Sequence, residues 1–179
     1  REMENSAIDW YLMAQRLNLL YESGESSSGS SAEQAIDIII GETVLKSAVD
    51  YYISGNVGAE LARSVLWKLH SWTAMNYCYQ IYKNTDCIEV KRTVVELLRV
   101  AGDRRITGWI PEFLNDCDDG VQNWAVGIID QFVFSGLIEP NEAESLLVEA
   151  EKIPNLYVQE KVQEIRTFLL SRLLRQSMV

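Results

Sequence analysis

Apolar residues recur at helical spacing along most of this chain. From Ala7 to Tyr21 the order Ala-Ile-Asp-Trp-Tyr-Leu-Met-Ala-Gln-Arg-Leu-Asn-Leu-Leu-Tyr predicts a first helix, within residues 1–22. Ser23 to Ser31, all Ser and Gly except one Glu, offers nothing to bury and predicts a flexible loop over 23–32. Ser31 is placed to cap a helix that begins at Ala32 and runs to about Ser54, within a helical cap over 33–57. Gly55-Asn56-Val57-Gly58 then reads as a turn.

From residue 58 the pattern repeats. Glu89-Val90-Lys91-Arg92-Thr93-Val94-Val95-Glu96-Leu97-Leu98-Arg99 lies 31 residues before the segment from Gly120 to Asp130 and 29 after the one from Glu60 to His70. A fainter copy starts at Tyr157. The copies align one apolar stripe: Val90, Val94, Leu97, Leu98; Val121, Ala125, Ile128, Ile129; Leu61, Val65, Leu69. Between them, Trp72–Tyr82, Ile106–Leu114 and Glu142–Ile153 carry helical stripes of their own. Helix, turn, helix, turn, with a period near 30 residues, predicts an all-α, right-handed α-solenoid of about four helix pairs, folded as a single domain over 1–179.

Charge adds a second pattern. The net charge of −10 is distributed as −7 over residues 1–60, +4 over 61–110, −10 over 111–160 and +3 over 161–179. The acidic block repels nucleic acid and favours a basic partner. No run of about 18 apolar residues predicts a membrane span, and the first five residues show no leader pattern. Cys78, Cys87 and Cys117, odd in number and without CxxC spacing, predict free thiols in a reducing, cytoplasmic setting.

The repeated residues resemble HEAT repeats. The best copy runs from Gly102-Asp103-Arg104-Arg105 through Ile129, with a Gly-Asp-x-Arg entry, an apolar first helix, an Asp-x-Asp turn, then Val and a small-apolar second helix. Glu89-Val90-Lys91-Arg92 keeps the acidic-Val-basic-basic start. The resemblance covers roughly residues 58–170. Gln122-Asn123 departs from the usual basic pair, Gly108 stands where Pro is common, and the helices before residue 56 match loosely, as terminal caps would. Such a resemblance implies an interaction scaffold that binds along the face of its second helices. A few similar proteins are alkylpurine DNA glycosylases or bilin lyase subunits, so the fold alone does not assign function.

The most conspicuous candidate chemistry is Asn115-Asp116-Cys117-Asp118-Asp119-Gly120. An EF-hand register fails: from Asp116, Gly falls at position 5 and Gly127 at position 12. Read as a corner, Asp118 caps the next helix through the Val121 N–H, and Asp119 complements the helix dipole. Asp116 and Asp119 are then expected to be free for a partner's cation. His70, the single histidine, lies between Trp67 and Trp72 without a second metal ligand nearby. No phosphate loop, nucleophile elbow or HExxH motif occurs, so neither an enzyme nor a cofactor or metal is expected. The polar positions of the second helices form a ladder: Arg63, Trp67, His70; Arg92, Glu96, Arg99; Asn123, Gly127, Asp130; Glu160, Glu164.

The expectation is a non-enzymatic protein-binding module, a monomer or one half of a 1:1 complex. In its most concrete form it is an immunity or antitoxin protein covering a basic toxin such as a nuclease. Its expected contacts are Asp116, Asp118, Asp119, Asp130, Trp67, His70, Glu96 and Asn123. The alternatives are a scaffold subunit of a larger complex, or a HEAT-like DNA glycosylase using the tryptophans and Asp130.

Overall fold

The computed structural model describes residues 8–17 and 29–176. Among them there is no strand; ten α-helices and one 3-10 segment follow one another. They are α1 (Trp10–Arg16), α2 (Gly29–Ile40), α3 (Glu42–Ile53), α4 (Ala59–Leu69), α5 (Trp72–Asn84) and α6 (Ile88–Ala101), the 3-10 segment Arg104–Trp109, then α7 (Ile110–Leu114), α8 (Asp119–Phe134), α9 (Pro140–Ala150) and α10 (Leu156–Gln176).

Local chemistry sets many of these boundaries. The Asp9, Ser71 and Asp118 side chains accept from the N–H groups of Leu12, Ala74 and Val121, capping α1, α5 and α8. Pro140 opens α9, where its missing N–H costs nothing. The expected continuous helix from Ala32 to Ser54 is instead two. Gly41 sits between α2 and α3 at φ 86°, a left-handed region open to a residue without Cβ. Ser31 lies inside α2 rather than at its cap, since the helix begins at Gly29, within the span expected to be loop. Of the expected first helix, the described part is α1; residues 18–28 of the helix and loop readings fall outside the described residues.

The helices pair in sequence: α3 with α4, α5 with α6, α7 with α8, α9 with α10. The second members lie side by side in the order α4, α6, α8, α10. On the other side α3 packs on α5 and α7 on α9, while Tyr79 of α5 stacks on Trp109 at 4.4 Å and meets Phe113 of α7 edge-on. Buried apolar residues from Val49 to Ile165 form one cluster through these eight helices. The α6 and α8 stripes are buried as expected, at Val94, Leu97, Leu98, Val121, Ala125, Ile128 and Ile129, with Val90 partly so.

The α4 stripe is a correction. Leu61 and Val65 are 70% and 45% exposed, and Ala59 and Leu66 are buried instead. Arg63 fixes the rotation of α4 by reaching Glu96 of α6 at 3.0 Å. Leu61 and Val65 stand two residues either side of it, about 200° round the helix and so away from α6.

Candidate partner-binding face

The aspartate corner joins α7 to α8. Asp118 caps α8 through the Val121 N–H at 3.0 Å and takes two hydrogen bonds from Arg92 of α6, at 2.8 and 2.7 Å. The Arg92 guanidinium, helped by the Val121 N–H, pulls the Asp118 carboxyl down to about 2. A carboxyl lowered on folding stabilises fully above its unfolded value near 4, and that contribution is lost as pH falls toward 2. Asp118→Asn keeps a capping oxygen and loses the charge. The gap in urea midpoint between wild type and this variant is therefore expected to close between about pH 4 and pH 2; a gap that stays constant with pH removes the Arg92 pair as its origin.

Gly120 is needed because Arg92 crosses it. A Cβ there would lie 2.4 Å from Arg92 Nε and 2.8 Å from its Cδ. Gly120→Ala should displace Arg92 from Asp118 and cost about 1–3 kcal/mol by thermal or urea unfolding, despite the better helix propensity of Ala. The reverse sign would show that the Arg92 stem swings aside freely.

Asp116 is not free for a partner, contrary to expectation. Its side chain is 6% exposed, and lies 3.7 Å from Lys91. It accepts from the Tyr82 hydroxyl at 2.7 Å and from the Asp118 N–H at 2.9 Å. Burial and this carboxylate push the Tyr82 phenol up. Asp118 is likewise engaged. Asp119 is exposed, with no ion pair among the described residues.

Along the face of α4, α6, α8 and α10, Glu96 is the hub. It is buried, accepts from the Tyr52 hydroxyl of α3, pairs with Arg63 at 3.0 Å, and lies 3.9 Å from Arg99. Burial and Glu96 push the Tyr52 phenol up. Arg99 lies over the Trp124 ring at 5.3 Å, and its Cδ would be 3.0 Å from a Cβ on Gly127. Trp67 is 46% exposed, with the Lys68 ammonium 4.1 Å above its ring. Asn123 accepts from Asn155 Nδ2 at 3.0 Å, which ties α8 to the start of α10. Asp130 is exposed, close enough to favour the charged Lys161 ammonium, though Lys161 pairs chiefly with Glu164. His70 belongs to a corner instead: it ends α4 at φ 43°, its Nδ1 lies 3.2 Å from the Ala101 carbonyl oxygen, and its own carbonyl accepts from Arg105.

The structure thus assembles Trp67, Glu96, Asn123 and Asp130 along one row of helices and absorbs Asp116, Asp118 and His70 into packing. Tyr52, Trp124 and Asn155 enter the site unannounced. Trp124 follows a ladder position directly, but Tyr52 reaches Glu96 across 44 residues from a helix outside the repeat pattern.

The charge blocks find each other. Glu112 pairs with Lys83, Asp116 with Lys91, Asp118 with Arg92, Glu142 with Arg104, and Glu144 and Glu151 with Arg166. Much of the acidic block is therefore neutralised by its basic neighbours. Asp119, Asp130 and Glu160 are exposed and make no ion pair among the described residues. Among those residues no three His, Cys, Asp or Glu side chains are grouped to hold a metal, and no helix is long and apolar enough to cross a membrane. All three cysteines are free; Cys78 is buried, which raises its thiol, while Cys87 and Cys117 are exposed. Set beside models of protein families, curated proteins and solved structures, the chain matches none of them.

Proposed function

We propose that this chain is a non-enzymatic protein-binding module, a right-handed solenoid of HEAT-like hairpins that meets a basic partner with the α4–α6–α8–α10 face. In its most concrete form it is an immunity or antitoxin protein that covers the phosphate-binding surface of a basic toxin such as a nuclease. The carrying observation is that Asp119, Asp130 and Glu160, on the second helices, are exposed and make no ion pair among the described residues. Trp67 supplies an exposed aromatic on the same row of helices, the kind of side chain that anchors interfaces. A nucleic-acid reading fares worse, because Arg63 and Arg92 donate to Glu96 and Asp118, and Arg99 lies beside Glu96, so the arginines do not form an uncompensated row for a phosphate backbone.

The test is affinity purification of the full chain beside Asp119→Lys/Asp130→Lys/Glu160→Lys, with circular dichroism to confirm that the variant is folded. The wild type should retain a stoichiometric basic protein that elutes with rising salt, and the variant should lose it. Equal retention by both, or no retained protein, overturns the proposal.

A further inference from the structure

Resting on that binding face, we infer that Arg99 receives a carboxylate of the protein partner beside a cation site at Asp130. The face would then select a segment with an acidic and a basic residue about one helical turn apart.

Arg99 differs from the other arginines of this face in what it leaves unused. Arg63 donates to Glu60 and Glu96, and Arg92 to Glu89 and Asp118. Arg99 donates no hydrogen bond among the described residues, and its ion contact with Glu96, at 3.9 Å, is beyond hydrogen-bond reach; its buried Nε has no partner, as is also true of Arg63, whose terminal nitrogens are however engaged. A part-buried guanidinium without acceptors is an unusual expense in a folded chain. Its side chain is nevertheless 31% exposed, so an acceptor can reach it.

The group is also held in place. The ring of Trp124 lies under the guanidinium and Gly127 lies under the stem, which leaves the planar fork little freedom to lose on binding. Arg63 has two carboxylates, Glu60 and Glu96, whereas Arg99 has, among the described residues, only the 3.9 Å contact with Glu96, which is already taken by Arg63 and the Tyr52 hydroxyl. A carboxylate matches both the charge and the fork geometry.

Asp130 lies three residues beyond Gly127 on α8, about 4.5 Å further along the axis. It is exposed and makes no ion pair among the described residues, and Lys161, the cation it influences, pairs with Glu164. Arg99, whose stem crosses Gly127, and Asp130, one turn further along α8, thus offer a cation and an anion on the same row of helices. This arrangement favours a protein segment of mixed sign over a polyphosphate, which Asp130 and Glu160 would repel.

The test is selection of a displayed library of helical peptides against the full chain, followed by fluorescence polarisation with the selected peptides. The expected peptides carry Asp or Glu three or four positions from Lys or Arg. Arg99→Gln should weaken them about 10- to 100-fold, and changing the peptide's acidic residue to its amide should cost wild type as much but Arg99→Gln little. Asp130→Asn should show the same coupling to the peptide's basic residue. Peptides that are only basic and bind both proteins equally would overturn the Arg99 assignment and leave the proposed binding face standing. Selection of nothing would overturn both. Tight binding of a labelled DNA oligomer that Arg99→Gln abolishes would identify the anion as phosphate and likewise overturn the inference.

Discussion

Phe113→Ala is expected to cost about 3–5 kcal/mol, read as a lower urea midpoint at unchanged slope. Phe113 is fully buried on the five-residue α7, too short to persist without packing. Its ring meets Tyr82 edge-on at 4.8 Å and Tyr79 at 6.1 Å. Both hydroxyls then bond carboxylates of the next hairpin, Asp116 and Glu112. Removing the ring leaves a cavity and loosens the two tyrosines that position those acids. Phe113→Leu fills part of the volume and should cost about 1.5 kcal/mol or less. Similar costs for the two variants would mean that the site collapses round the smaller side chain, and that the aromatic contacts are not what holds α7.

Glu96→Ala should be the most damaging change on the polar face, at about 2–3 kcal/mol. It removes the carboxylate between Arg63 and Arg99, leaving Arg63 only the exposed Glu60, and leaves the Tyr52 hydroxyl without its acceptor. The figure is set below the range for fully buried pairs because both arginine side chains are a quarter to a third exposed and water can reach them. Glu96→Ala/Arg63→Met should be more stable than Glu96→Ala alone, since it removes one of the two cations that Glu96 had held together. If the two changes simply add, Glu96 acts through something other than its charge.

The helical periodicity located the starts of α4, α5, α6, α8, α9 and α10 to within two residues, because each has a face that must be buried; the helix expected over Ile106–Leu114 is a 3-10 segment up to Trp109 and α-helical only from Ile110. It misread α4 because the aligned copies shared apolar positions while the rotation of that helix is set by Arg63, a polar contact to a helix one hairpin on. Gly41 looked like one residue of a long helix; its backbone conformation, which decides otherwise, leaves no mark in hydrophobic spacing. The aspartate corner was legible as a cap, since capping is local. That Asp116 is spent on Tyr82 and Lys91 was not, because both partners lie more than 20 residues away. For the same reason the acidic block looked like one continuous surface, and only three-dimensional pairing separates its engaged carboxylates from those, such as Asp119, Asp130 and Glu160, that make no ion pair among the described residues.

The ion pairs between the four hairpins share a direction. Arg63 of the first reaches Glu96 of the second; Lys83, Lys91 and Arg92 of the second reach Glu112, Asp116 and Asp118 of the third; Arg104 of the third reaches Glu142 of the fourth. In each of these pairs the earlier hairpin offers the cation and the later one the anion. A hairpin joined back to front would set like charges against each other. Apolar helix faces accept many neighbours, so this polarity acts as a key: it gives each hairpin a direction of stacking that its hydrophobic stripes alone would not specify.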